Sequence, residues 1–100
     1  MFDHYLIYMS SVVEEKLLHK VPSVSYIEVE EAFYNWTGIP LIDDRKQHKT
    51  KPPTVWFISE TSENRLLKIV GIFNREIEVF TIKTAFEPDA WEVELYESKQ

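Results

Sequence analysis

The segment 43–57, DDRKQHKTKPPTVWF, places Arg45, Lys46, His48, Lys49 and Lys51 within seven positions, five of the chain's fourteen Lys, Arg and His residues. Arg and Lys side chains contact phosphate oxygens. An imidazole titrates close to neutral pH and can move a proton. Together these groups suit a phosphodiester. Asp43 and Asp44 adjoin the cluster. They leave a plain alternative open, a solvated loop in which they pair with Arg45.

Three further cations lie in strand-like sequence. Strand alternation puts Arg65 on one side with Leu67, Ile69, Gly71 and Phe73, and Lys68 on the other with Leu66, Val70 and Ile72. Both sides are apolar, as in a central strand covered on two faces. A charged head there must reach a carboxylate, Glu60 being one candidate, or extend to the sheet rim. Lys83 ends the next run near the same rim. Two arrangements follow: ion pairs at the end of the sheet, or a cationic pocket of Arg65, Lys68 and Lys83 beside the basic loop. For a pocket, His48 is the candidate for proton transfer. Arg45, Arg65 and Lys83 are its phosphate clamps, and Lys49, Lys51, Lys68 and Trp56 its binding residues. Trp36 and Trp91 are expected in the core.

These groups need elements to carry them. Phe2 to Tyr8 reads as a first strand. Ser11 and Glu14 have capping-box spacing for a helix running to about Lys20, and Ser25 and Glu28 have it for a second helix. Val29, Ala32, Phe33 and Trp36 recur at helical spacing behind that second box, and Gly38 would end the helix in the left-handed conformation. Three strand-like runs follow, Thr54 to Thr61, Leu66 to Phe73 and Ile77 to Lys83. Their short polar links predict antiparallel hairpins. Glu87-Pro88-Asp89 opens a last helix with proline in its first turn. Trp91 and Leu95, with Val93 nearby, would pack this helix on the sheet. The expected fold is α+β in the order β-α-α-β-β-β-α, an antiparallel sheet packed by helices. It forms one domain over residues 1–100, with 97–100 frayed.

Composition narrows the functions. The chain has 100 residues, no cysteine and a formal net charge of -6. Thiolate metal sites and disulfides are ruled out. A Gly-rich phosphate loop is ruled out too, since Gly38 and Gly71 are the only glycines. His4 and His19 are isolated, no metal-ligand spacing occurs, and no cofactor is expected. No apolar run is long enough to span a bilayer and the first residues lack a basic leader, so a cytoplasmic protein without membrane contact is expected. The negative balance opposes non-specific binding of nucleic acid, so any such site must be compact.

EVEEAFYN (28–35), the long block from Asp43 to Phe73 and IKTAFEP (82–88) followed by EVELYE (92–97) resemble a group of small bacterial proteins. These in turn are similar to the BrnT-like toxins of the RelE/ParE superfamily. The resemblance runs from about Val12 to Glu97, and its most specific parts are HKTKPPTVWFI and the Arg65-Leu66-Leu67-Lys68 strand. It implies a RelE/BrnT-like fold and a type II toxin: a metal-independent endoribonuclease, neutralised by a cognate antitoxin and directed at RNA or the ribosome. Arg65 matches the arginine of the family's Gly-Arg pair, with Asn64 in place of the glycine. The family's arginine after the last strand is missing, and Lys83 is only a nearby cation. A different class of function stays open, a non-catalytic acidic module, phage or mobile-element encoded, that binds and blocks a protein partner. Glu28, Glu30, Glu31, Glu92, Glu94 and Glu97 would form its face.

Overall fold

The computed structural model describes residues 2–44 and 51–100. The elements are β1 (Leu6–Tyr8), α1 (Ser11–Leu18), α2 (Tyr26–Asn35), β2 (Leu41–Ile42), β3 (Val55–Glu60), β4 (Leu66–Asn74), β5 (Val79–Phe86) and α3 (Ala90–Ser98). They make an α+β fold around one five-stranded sheet, ordered β1-β5-β4-β3-β2. The hairpins β3-β4 and β4-β5 form as their short links predict, and β4 is the central strand. The sheet is mixed rather than wholly antiparallel, because β1 runs parallel to β5 with Leu6 opposite Val79. No local pattern encodes a pairing between strands some 73 positions apart. The two-residue strand β2 pairs with β3 and was not anticipated as a separate strand.

The helices start on side-chain caps. Ser10, not Ser11, caps α1, its Oγ accepting the Val13 N–H at 3.2 Å. At α2 the Ser25–Glu28 box forms as expected. Pro88 lies ahead of the Asp89 cap of α3 rather than inside the helix. α2 ends at Trp36 in extended conformation, and Gly38 is not left-handed. The role of Gly38 is close approach: a Cβ there would sit 2.5 Å from both the Tyr96 hydroxyl and Gln100 Oε1. Gln100 bonds both polar groups of the Ile39 backbone.

α2 covers one face of the sheet. Trp36 stacks on Phe57 with centroids 3.8 Å apart, and Phe33 stacks on Phe80 at 5.4 Å. Phe2 leaves the expected first strand and plugs this layer, 4.4 Å from Phe73. Each such pair adds about 0.5–1.5 kcal/mol beyond the area it buries.

α3 lies on the opposite face and presents an unexpected stripe. Glu92 and Tyr96 are buried and Val93 packs on the core, whereas Trp91 is 61% exposed and Leu95 39%. The apolar pair 91/95 and the pair 92/96 have the same i, i+4 spacing, so periodicity alone does not choose between them. Burying the second pair gives Glu92 a lysine partner and lets the Tyr96 hydroxyl accept the Trp36 indole N–H at 2.8 Å.

Candidate functional site

The alternation that builds β4 separates the expected cations. Arg65 lies on the α2 face, where Nη1 donates to Glu28 Oε2 at 2.7 Å and Nε to Glu87 Oε2 at 2.8 Å. These bonds hold its guanidinium pKa above the ordinary value, the Glu28 bond contributing most. Nη2 is buried without a hydrogen-bond partner among the described residues. Asn64, just before it, has φ of 65°, a left-handed position that asparagine tolerates better than most residues and where glycine is the usual alternative.

Lys68, three positions on, points to the α3 face. Its Nζ donates to Glu92 Oε2 at 2.6 Å and lies 4.3 Å from the centre of the Trp56 ring. Both partners are largely buried, with side-chain exposures of 14% and 6%. Glu92 also accepts the Asp89 N–H through Oε1, so one carboxylate caps α3 and fixes the helix to the sheet.

Around this pair a groove of about 710 Å³ opens between α3, the β5 side of the sheet and the β2 edge. Trp56, Val70 and the Lys68–Glu92 pair form its floor, and Lys20, Lys83, Asp44 and Trp91 are among its other lining residues. The position of Lys83 follows from a bulge. Gly71 pairs with Ile82 and Val70 with Thr84, which leaves Lys83 as an extra residue in β5. Such an insertion puts consecutive side chains on one side of the sheet. Lys83 is exposed and has no carboxylate partner among the described residues. Lys20 reaches the groove from the end of α1. Its Nζ donates to Thr84 Oγ1 at 3.0 Å, and burial lowers its pKa from the ordinary lysine value.

The structure therefore brings Lys68, Lys83 and Trp56 together and leaves Arg65 on the far face. Lys51 is exposed and does not line the groove. Arg45, His48 and Lys49, together with Lys46, lie outside the described residues. Sequence reasoning missed Lys20, which meets Thr84 across 64 positions with no local signal. It also missed Trp91, whose apolar character argued for the core. Among the described residues no group of three or more carboxylates and imidazoles is placed to hold a metal ion, and no helix is long and apolar enough to cross a membrane.

The arrangement can bind an anion that also carries a flat apolar part. Lys20 and Lys83, which have no carboxylate partner among the described residues, supply the charge, and Trp91 and Phe86 supply the apolar surface. Comparison with protein-family models, with curated proteins and with solved structures finds no match to this chain.

Proposed function

We propose that this chain is an RNA-directed toxin of the RelE/BrnT-like kind, an endoribonuclease restrained by an antitoxin, and that RNA lies in the α3-side groove. The observation that carries the reading is the pairing of Lys20 and Lys83 with an exposed Trp91 around one groove of nucleotide size. In the reaction a base takes the proton from a ribose 2′-hydroxyl. The 2′-oxygen attacks phosphorus, a 2′,3′-cyclic phosphate forms, and the 5′-oxygen leaves with a proton from an acid. His48 is the side chain proposed for proton transfer, and Lys83 and Lys20 stabilise the phosphorane. Arg65 is removed from the clamp.

The test is expression in a bacterium together with incubation of purified protein with RNA at low salt. Growth arrest and RNA cleavage, both relieved by Lys83→Ala and His48→Ala, support the reading. Unimpaired growth with intact RNA ends it.

One observation favours the non-catalytic module. Arg65 and Lys68, two of the cations expected to act on phosphate, are committed to Glu28, Glu87 and Glu92. The acidic face proposed for that module is reduced by the same bonds. Glu28 and Glu92 belong to ion pairs, and Glu31 accepts the Ser62 N–H.

A further inference from the structure

Trp36 and Trp56 are each 9% exposed, but Trp91 is 61% exposed. An indole left this exposed at the mouth of a groove is a large apolar surface without a structural partner among the described residues. Its backbone is well held. The next residue, Glu92, is buried, bonded to Lys68 and bonded back to the Asp89 N–H. Trp91 thus projects from a fixed first helical turn into a groove that also holds Lys83 and Lys20.

We infer that Trp91 is a base-stacking platform and that the groove takes single-stranded RNA, one unpaired base lying on the indole and its phosphate meeting Lys83 and Lys20. The inference rests on the RNA reading above and adds a substrate form to it. Single-strand sites combine cations that follow the backbone with aromatic rings that receive successive bases. A base inside a duplex is stacked on its neighbours and has no free face to offer, so a duplex can use only the lysines. Asp44 lines the same groove and repels additional phosphates, which favours one or two nucleotides over a long duplex backbone.

The experiment measures equilibrium binding of a labelled, unstructured octanucleotide with 2′-O-methyl riboses, which cannot be cleaved through the 2′-oxygen, and of a blunt hairpin with the same modification whose loop is a non-nucleotide linker, so that it offers no unpaired base. Wild type, Trp91→Ala, Trp91→Phe and Lys83→Ala are compared at low salt. The wild type should prefer the single strand. Trp91→Ala should weaken single-strand binding about 5- to 150-fold, the factor set by losing one base–aromatic stack of about 1–3 kcal/mol. Trp91→Phe should keep most of the affinity. Lys83→Ala should weaken binding and flatten its salt dependence. Tryptophan emission should change on binding in the wild type and much less in Trp91→Ala. Single-strand binding that survives Trp91→Ala but falls with Lys83→Ala overturns the stacking platform and leaves the RNA reading standing. Equal affinity for strand and hairpin also overturns it. A wild type that binds neither RNA removes both.

Discussion

Arg65→Ala separates a residue that holds the fold from one that acts on substrate. The side chain makes two charge-assisted bonds, at 2.7 Å to Glu28 and 2.8 Å to Glu87, and is itself 20% exposed. Removing one partner of a fully buried pair costs about 3–5 kcal/mol, and exposed pairs contribute about 0.2–1 kcal/mol. Glu28 is 31% exposed and Glu87 48%, so the case is intermediate. The Glu28 bond is worth about 1–2 kcal/mol and the Glu87 bond at most about 1 kcal/mol on those scales. The buried, unpartnered Nη2 subtracts from the net value of the wild-type arrangement. A loss of about 1–3 kcal/mol lowers the melting temperature of a domain this size by roughly 4–24 °C. Thermal unfolding followed by circular dichroism reads this directly, with Arg65→Lys intermediate because an ammonium cannot fork between two carboxylates as a guanidinium does. At permissive temperature the variant should keep its RNA binding. An unchanged melting temperature combined with lost RNA binding or lost growth arrest would refute the reasoning and return Arg65 to the site.

Glu28 gives stability a pH dependence. Burial pushes its pKa up, but the bonds from Arg65 and Ser25 outweigh that and hold it below the ordinary carboxylate range. Its contribution is complete above the unfolded value of about 4.3 and is lost as pH falls through the lower folded value, so Glu28→Gln should flatten the acid limb of a urea-midpoint titration. Lys68→Met removes the lysine partner of the buried Glu92 carboxylate and should cost about 2–4 kcal/mol by urea unfolding. Lys68→Met/Glu92→Gln should lose less than the two single changes added together. Gly71→Ala drives a Cβ into the Thr81 carbonyl and the Phe80 ring, so it should cost at least about 1–3 kcal/mol and show as a lowered melting temperature or insoluble expression.

Where local rules decide, the sequence was legible. The Ser25–Glu28 box, the two hairpins and the central position of β4 follow from spacing, short links and alternation. The placement of Arg65 and Lys68 on opposite faces follows from the same alternation, since an odd separation reverses the side. A common pocket for Arg65, Lys68 and Lys83 contradicts that geometry. Other features depend on distant partners. Glu92 is buried because Lys68 awaits it 24 positions away, and that choice of stripe turns Trp91 outward. Lys83 enters the groove through a bulge that a run of strand-forming residues does not announce.

The parallel pairing of β1 with β5 has a consequence for assembly. Leu6 meets Val79, so the strand at Leu6–Tyr8 has no seat until the residues of β5, some 73 positions later, have been made. Tyr5 and Phe2, which lead into that strand, touch Phe73 in the central strand, also far along the sequence. Closing so long a loop is slow relative to forming the two hairpins. During synthesis the β3-β4 hairpin can order itself while Leu6–Tyr8 still lacks its neighbouring strand.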